Sequence, residues 1–593
     1  MKRSEVKTED TWRLGDLFSN VTEWEKACEE LNRRIQEIPR FYGTLGQGAD
    51  SLYAYLVFQS ETEQLLEKIY VYANLKYHED TANADSQMLA ERADAYMTAY
   101  NEKDAFFVPE LLAIRDEELK EWLENPAFAD YREYVMEIIR KKEHMLSKEE
   151  ETLLAGVYEI ANTPSNVFSM FQNADLKFPE LVEEDGTRHP LTHGNYMVYM
   201  KDASQSIRRQ AFFSLYHTYE AYQNTLASLY ASNVKQELFF AKARKYGSSL
   251  EKALDASRIP VNVYENLIAI VGEHLGAMYR YMDVRKRALG LPELHMYDIY
   301  VPITEEQEDH YTFEEAEELV LKALEPMGEE YISLLKKGLE DRWIDRYENE
   351  GKRSGAYSWA AYGTHPYVLL NFQGRLNDVF TLAHEMGHAI HSYYSNENQS
   401  FRNAGYRIFV AEVASTCNEA LLMHYLLEHT ESREKRACLI NYYLEQFRTT
   451  LFRQTMFAEF EQITHGKLQE GEALTARNLK TIYHGLNEKY FGPDVVIDEE
   501  IDMEWARIPH FYTPFYVYQY ATGYSAAIAL SGKILKEGAP AVKKYVDGFL
   551  KGGCSQSPLE LLKNAGVDMN SREPVESAMK VFEDLVTQME RLV

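Results

Sequence analysis

Apolar residues recur three and four positions apart along most of this 593-residue chain. The pattern is clear in VTEWEKACEELNRRIQEI, from residue 21 onward, where charged residues fill the positions between. This spacing places the apolar side chains on one face of a helix. The chain has only 17 prolines, and because proline breaks helices, their scarcity leaves room for long ones. We therefore predict a mainly α-helical protein.

Two stretches interrupt the helical pattern. The first, NADLKFPELVEEDGTRHPLTHGNYMVYMKDAS, contains an Asp-Gly turn at Asp185 and Gly186 between short alternating runs, which predicts a hairpin. We place a domain boundary here, which gives an N-terminal helical region over 1–190 and a second region over 191–593. The second stretch, 352–374, contains YVLLNF, which predicts a short strand just before a histidine-rich segment.

The composition excludes several classes of protein. Asp and Glu number 94 against 63 Lys and Arg, and the resulting net charge of −31 repels phosphate backbones, so we expect no nucleic-acid partner. No apolar run of about 18 residues occurs, so we expect no membrane span. No apolar run follows the first basic residues, so we expect no secretory signal. The four cysteines form no CxxC pair, which is typical of reduced thiols. We expect a cytoplasmic protein and leave its oligomeric state open.

The stretch NDVFTLAHEMGHAIHSYYSNEN, residues 377–398, contains the pattern H-E-x-x-H. We expect a helix capped by Asn377, with His384 and His388 on one face and their Cβ atoms about 5–6 Å apart. Both imidazoles could then bind one zinc ion at about 2.0–2.1 Å. Glu385 points elsewhere and could take a proton from a water molecule at the open position of the metal. The alternative is a buried helix whose histidines only hydrogen-bond to core groups.

A third metal ligand would separate these alternatives. The metzincin, aminopeptidase-like and thermolysin-like patterns do not fit, because the chain lacks the required histidine or glutamate at their positions. The nearest suitable carboxylate is Glu412, 24 positions after His388, in the helical segment FVAEVASTCNEALLMHYL. Glu412 could complete a set of two histidines and one carboxylate. Glu419, on the same helix face, could orient a ligating imidazole. An ordinary ion pair on a helix is the alternative for Glu412.

Several segments together resemble the oligoendopeptidase F group of the thimet oligopeptidase family. They are HEMGHAIHS, AEVASTCNEALL, PHFYTPFYVYQYATG, LSKEEETLLAG and YDIYVP, and the resemblance covers most of the chain after about residue 110. It implies a zincin-like fold of two mainly helical lobes around a deep central channel, with a few short strands near the active site. It also implies an oligopeptidase-F-type segment over about 115–190 and a zinc metallopeptidase catalytic domain over 191–593.

The resemblance further implies a zinc-dependent metalloendopeptidase that hydrolyses internal bonds of short peptides, its expected partners. One Zn²⁺ per chain would be held by His384, His388 and Glu412, with Glu385 as general base. The YVLLNF segment is placed to bind an extended peptide as an added strand. Two alternatives stay open, namely a zinc carboxypeptidase or dipeptidase of similar helical fold and a non-catalytic peptide-binding scaffold.

Aromatic residues are concentrated in RIPHFYTPFYVYQYATGYSAA, residues 507–527. Taken alone, such rings are typical of a hydrophobic core. Members of the resembled family use a histidine and tyrosines downstream of the metal site to stabilise the oxyanion of the reaction. His510 matches that histidine. Tyr516 and Tyr520 are the preferred tyrosines, and Tyr518 is the alternative.

Overall fold

The computed structural model describes residues 1–183, 185–304 and 310–593. Helices dominate these ranges, as the apolar spacing predicts. In chain order they begin with α1 (Val21–Glu37), α2 (Ala49–Glu79), α3 (Ala84–Asp104), α4 (Phe107–Ala113), α5 (Asp116–Leu123), α6 (Arg132–Arg140), α7 (Lys148–Ala161), α8 (Thr163–Met170), α9 (Tyr196–Met200), α10 (Gln205–Glu220), α11 (Gln223–Ala243), α12 (Ser249–Asp255) and α13 (Val261–Glu273).

The later helices continue with α14 (Leu275–Ala288), α15 (Phe313–Ala323), α16 (Gly328–Glu340), α17 (Leu376–Asn398), α18 (Phe401–Ala404), α19 (Ile408–His429), α20 (Arg433–Gln446), α21 (Arg453–Gln469), α22 (Ala476–Phe491), α23 (Tyr518–Glu537), α24 (Ala539–Tyr545), α25 (Pro558–Asn564) and α26 (Glu573–Glu590). Among the helices that the structure describes, none has both the length and the apolar character needed to cross a bilayer.

Strands are short and form three small sheets in the described ranges. They are β1 (Leu181–Val182), β2 (Arg188–His189), β3 (Leu294–His295), β4 (Ile344–Asp345), β5 (Tyr357–Trp359), β6 (Tyr367–Leu369) and β7 (Val495–Val496). Antiparallel β1 and β2 confirm the predicted hairpin, and Gly186 in its turn has a φ of +88°. β3 pairs in parallel with β7, and the third sheet has the order β4-β6-β5.

The chain divides into two compact units, each assembled from segments that are not consecutive. Unit 1 comprises Met1–Lys142, Glu308–Tyr425 and Leu530–Asp568, and unit 2 comprises Glu143–Gln307, Leu426–Ala529 and Met569–Val593. The expected boundary near residue 190 lies inside the first segment of unit 2. The division of the sequence into regions 1–190 and 191–593 stays a prediction.

In unit 1, β6 confirms the strand expected in YVLLNF, but it occupies the centre of its sheet. It pairs in parallel with β4 on one side and antiparallel with β5 on the other. Since each side of a strand can carry only one ladder of hydrogen bonds, the hypothesis that β6 accepts a peptide as an added strand is wrong.

Helix α17 begins at Leu376, two residues before the start expected for a helix capped by Asn377. The carboxylate of Asp378 accepts the backbone N–H groups of Arg375 at 2.8 Å and Gln373 at 3.2 Å. Asp378 thus binds the backbone immediately before the helix, and the predicted cap at Asn377 is wrong, because the N-cap is Arg375 and Asn377 already lies inside the helix.

Helices α17 and α19 of unit 1 approach each other closely at Gly387. A Cβ atom at this position would lie 2.6 Å from the Cα of Ser415, a separation that only glycine avoids. One turn farther along α19, the buried Asn418 amide donates to the carbonyl of Ala383 on α17 at 3.0 Å and accepts the hydroxyl of Tyr331 at 2.8 Å. The glycine sets the spacing of the two helices, and the asparagine fixes how far one can slide along the other.

The sheet of unit 1 is anchored by a buried group of charges at the end of β4. The side chains of Lys352 and Asp345 are both fully buried, and their Nζ and Oδ1 atoms lie 2.7 Å apart. Lys352 also donates to the carbonyls of Tyr347 and Leu370, at 2.6 Å each. Arg3 contacts the same carboxylate through both terminal nitrogens of its guanidinium group. Burial lowers the pKa of Lys352, and the adjacent Asp345 carboxylate partly offsets that effect.

We expect Gly387→Ala to destabilise the protein by about 1–3 kcal/mol, because the added methyl overlaps the backbone of α19 and overpacked cores relax at that cost. Gly532→Ala is the matched control, since Gly532 lies in α23 with nothing within 4 Å of an added Cβ. There the substitution should be neutral or stabilising by up to about 1 kcal/mol. Urea unfolding of both variants measures the difference, and equal stabilities would contradict the close approach.

Replacement of Asp345 by Asn should cost about 3–5 kcal/mol, because it leaves the buried ammonium of Lys352 without its counter-charge. Glu318→Gln serves as control, since the Glu318–Lys322 pair on α15 is solvent-exposed, and such pairs contribute little to stability. The free energy of unfolding from urea titration is the measurement. A loss for Asp345→Asn no larger than that of the control would show that the buried charges are not needed.

Candidate metal centre

Three predicted ligands meet in unit 1. The Nε2 atoms of His384 and His388, both on α17, lie 3.1 Å apart. The Oε2 atom of Glu412, on α19, lies 3.3 Å from the first nitrogen and 3.5 Å from the second. The two histidines converge because positions four apart share one helix face. Glu412 joins them because α19 contacts α17 at Ser415, about one helical turn after Glu412. The structure thus brings together the two histidines and the distant carboxylate that the sequence singles out.

These separations fit a tetrahedral cation site. Ligand atoms about 2.0–2.1 Å from a tetrahedral zinc ion lie roughly 3.3–3.4 Å from each other. The three observed distances between ligand atoms, 3.1, 3.3 and 3.5 Å, lie around that value. Three donors leave a fourth tetrahedral position without a protein ligand, which is the arrangement of catalytic rather than structural sites. The donor set therefore fits a divalent metal ion that keeps room for water.

Carboxylates give this group a negative field. The Nδ1 atom of His384 hydrogen-bonds to Glu419, which leaves Nε2 directed at the other donors. Burial alone would lower the pKa of His384, but hydrogen bonds to Glu412 and Glu419 outweigh it and raise that pKa to about 10. Burial would raise the pKa of Glu412, yet the two histidines hold it well below its usual range. The field that stabilises positive charge on the imidazoles would equally favour a divalent cation.

Glu385 differs from the other acidic side chains of the site. It is 6% exposed, and its Oε2 atom is buried without a hydrogen-bond partner in the protein. Burial raises the pKa of Glu385, although the two neighbouring histidines partly oppose this shift. A buried carboxylate oxygen without a partner is unusual, and a raised pKa suits a group that must both take and return a proton.

A third histidine of α17, three residues after the motif, belongs to the core. His391 is 1% exposed, and its ring stacks on Tyr406 with centroids 4.0 Å apart. Burial lowers the pKa of His391 to about 3, so its imidazole is neutral. Two histidines of this helix, His384 and His388, therefore face the metal group, and His391 packs in the core.

In unit 2, the distal aromatic residues divide in a similar way. His510 is exposed on a short 3₁₀ turn, Pro509–Tyr512, and Tyr516 and Tyr520 are half-buried. The ring centroid of His510 lies 6.1 Å from that of each tyrosine, and the two tyrosine rings are 5.5 Å apart. We call these three residues the ring cluster.

Tyr518 lies outside the ring cluster. Its side chain is 2% exposed and packs in the core of unit 2, where its ring centroid is 5.1 Å from that of Tyr264. Burial raises the pKa of Tyr518. Tyr516 and Tyr520, the preferred tyrosines, are thus more accessible than Tyr518. The chemical roles of His510, Tyr516 and Tyr520 stay predictions.

Sequence reasoning missed the residues that set the spacing of α17 and α19. Gly387 interrupts a strong helical pattern, where glycine costs about 1 kcal/mol relative to alanine, and that cost was a signal of close packing. Asn418 stands between apolar residues on the buried side of α19. A buried amide needs partners, but the sequence does not reveal which helix supplies them.

Comparisons with known proteins identify the family of this chain. The family model described as Peptidase family M3 matches residues 198–581, and the one described as Oligopeptidase F matches residues 110–178. Oligopeptidase PepF of Bacillus subtilis is 47% identical over 592 residues, which cover 100% of this chain and 88% of that protein. Group B oligopeptidase PepB of Streptococcus agalactiae is 39% identical, with 100% of this chain and 98% of that protein covered.

Solved structures resemble this protein over nearly its whole length. A crystal structure from Chlamydophila abortus superposes with a TM-score of 0.94 at 36% identity, covering 100% of both chains. Oligoendopeptidase-F from Enterococcus faecium superposes with a TM-score of 0.74 at 39% identity, covering 96% of this chain and 98% of that one. The chain therefore belongs to peptidase family M3, as a metalloendopeptidase of the oligoendopeptidase F group.

Proposed function

We propose that this protein is a zinc-dependent oligoendopeptidase that hydrolyses internal bonds of short peptides, using a water molecule and a glutamate base. The observation that carries the proposal is the convergence of two imidazole nitrogens and one carboxylate oxygen at 3.1–3.5 Å from one another. The names of the relatives, oligopeptidase and oligoendopeptidase, support an endopeptidase over a carboxypeptidase or dipeptidase. The sequence features that predict a cytoplasmic location are compatible with this role.

His384, His388 and Glu412 are the proposed ligands of one zinc ion per chain. Zinc is favoured over magnesium or calcium because two of the three donors are imidazoles, whereas those ions prefer oxygen. When bound, zinc would supply a Lewis acid for the scissile carbonyl and lower the pKa of a water molecule toward about 7. Glu419 would hold His384 in the tautomer that presents Nε2 to the ion.

Glu385 is the proposed general base. Its buried oxygen without a protein partner can accept the proton of the attacking water and later deliver that proton to the leaving amine. Glu385 directly follows His384, so its side chain leaves the helix in a different direction from those of the two histidines, and it is not part of the group of ligand atoms. A non-catalytic scaffold gives no reason to bury a carboxylate oxygen without a partner beside the ligands.

His510 and one or both of Tyr516 and Tyr520 are the proposed donors to the oxyanion. Imidazole N–H and phenol O–H groups suit this role because they stabilise negative charge that develops only in the transition state. The accessibility of these three side chains supports the assignment, and the burial of Tyr518 argues against Tyr518.

An extended peptide would bind along β5 rather than β6. In the part of unit 1 that the structure describes, β5 pairs only with β6 and so lies at the edge of the sheet. A cavity of about 220 Å³ lies where the chain enters β5 and leaves β6, and it is lined by Gly355, Ala356, Leu370, Asn371, Phe372, Asp378 and Thr381. Backbone hydrogen bonds to an edge strand with side-chain pockets next to it form a common mode of peptide recognition.

Replacement of Glu385 by Gln should lower kcat by about 10²–10⁴-fold, the usual contribution of a general base, and leave the metal content unchanged. The substrate should be a fluorogenic peptide blocked at both ends, so that its cleavage reports endopeptidase activity. Glu397→Gln, an exposed carboxylate on the same helix, is the control and should retain full activity. Near-normal turnover by Glu385→Gln would reject Glu385 as the base.

Replacement of Glu412 by Ala should remove the metal. Mutation of a residue that only hydrogen-bonds to a metal ligand typically weakens metal binding by roughly 10–100-fold. The loss of a direct ligand should weaken it by more. Elemental analysis after dialysis measures the ion retained, and Glu385→Gln is the matched control, because it removes a carboxylate from the same site without removing a ligand. Full zinc occupancy in Glu412→Ala would transfer the role of third ligand to another residue.

A further inference from the structure

Phe515, in unit 2, has a backbone conformation that bulky residues avoid. Its φ is +57°, in the left-handed region where the Cβ atom crowds the following carbonyl. It follows Pro514, and the two form a turn immediately before Tyr516. A proline followed by a residue with positive φ is typical of a type II turn, in which glycine or asparagine ordinarily takes the second of these positions. Such strain persists only where the surroundings hold it, and it concentrates at functional sites.

The contact that holds this turn comes from α21. The backbone N–H of Phe515 donates to Oε1 of Glu461 at 2.8 Å, and Glu461 is fully buried. The ring of Phe515 packs against His465, one helical turn after Glu461, with centroids 4.5 Å apart. A ring contact and a backbone hydrogen bond, both to α21, therefore hold the strained residue.

Core packing alone does not account for a glutamate at this position. Its second oxygen, Oε2, has no hydrogen-bond partner, and a buried polar atom left unpaired costs stability. Burial raises the pKa of Glu461 to about 8, so at neutral pH the side chain is mostly an uncharged acid. An apolar side chain of equal size would avoid the unpaired oxygen but could not accept the N–H of Phe515.

The turn lies within the segment that carries the ring cluster. His510 precedes it, and Tyr516 follows Phe515 directly and places its ring 5.5 Å from that of Tyr520. Because the φ angle of Phe515 sets the direction in which the chain enters Tyr516, another conformation at Phe515 would send the phenol of Tyr516 elsewhere.

We propose that Glu461 is a positioning residue that holds the Pro514–Phe515 turn in the conformation that places Tyr516 in the ring cluster. The proposal rests on the proposed function, in which that cluster stabilises the oxyanion. Glu461 acts through the backbone of Phe515 and does not contact the substrate.

The experiment compares Glu461→Met, which keeps the size and loses the acceptor, with Glu461→Gln, which keeps an acceptor oxygen. We expect Glu461→Met to lower kcat by about 10–100-fold, the effect of misplacing a catalytic group, with KM and zinc content unchanged. Glu461→Gln should stay within about threefold of the wild type, since its carbonyl oxygen can accept the same hydrogen bond.

A double-mutant cycle separates positioning from general damage. In a Tyr516→Phe background, which has no phenol to position, Glu461→Met should lower kcat little further. Glu459→Met is the matched control: Glu459 is on the same helix and is bound by Lys489 at 2.6 and 2.8 Å and by Tyr490 at 2.8 Å, away from the turn. It should lower the melting temperature and leave kcat unchanged.

Four results overturn the proposal: wild-type kcat in Glu461→Met, an equal loss in Glu461→Gln, wild-type kcat in Tyr516→Phe, or a Glu461→Met effect undiminished in the Tyr516→Phe background. If Glu461→Met does not fold, Pro514→Ala loosens the same turn. It should lower kcat about tenfold, by the same misplacement, and only when Tyr516 is present; unchanged kcat would overturn the proposal. Failure of the proposed function shows separately, as normal cleavage by Glu385→Gln.

Discussion

The contact between α17 and α19 at Gly387 is the constraint on which the candidate metal centre depends. Two histidines four positions apart are fixed relative to each other by the helix itself, but the third donor must come from another element. Packed helix axes ordinarily lie about 8–10 Å apart, and the reach of a glutamate side chain is short. With no Cβ at Gly387, the backbone of α19 comes within contact distance of α17, and Glu412 reaches both imidazoles. Asn418 then fixes the register along the contact.

Charge accounts for the different tasks of the acidic residues around this contact. Glu412 and Glu419 both contact imidazoles of the site, so these carboxylates face the position where a cation would bind. Glu385 is buried next to them with one oxygen left over, and its pKa is raised while that of Glu412 is lowered. Opposite shifts within one small site are how proteins separate a group that must stay ionised from one that must exchange a proton. Burial and neighbours, rather than residue type, therefore assign the roles.

Much of this site could be predicted from the sequence, for reasons that are local. The convergence of His384 and His388 follows from helix geometry, and helical periodicity gave both α17 and α19. Glu412 was chosen as the nearest suitable carboxylate on a second helical segment, although nothing in the spacing alone says which helices touch. The peptide-binding role given to β6 failed, since a sequence shows that a segment is a strand but not that it lies between two others. The sequence also did not predict that each unit is assembled from three separate chain segments, because that arrangement arises from contacts between residues hundreds of positions apart.

The ring cluster is built on a different principle from the metal centre. Metal ligands stand on long helices, whose own hydrogen bonds fix each side chain in direction and height. His510 and Tyr516 stand instead on an irregular segment, and its backbone groups must find partners elsewhere. Those partners are buried side chains, since the carbonyl of Phe511 accepts the amide of Asn233 at 3.2 Å and the N–H of Phe515 is bound by Glu461. An irregular segment can bring His510 and Tyr516 next to Tyr520 at the start of α23, but it requires buried polar groups and local strain to hold its shape.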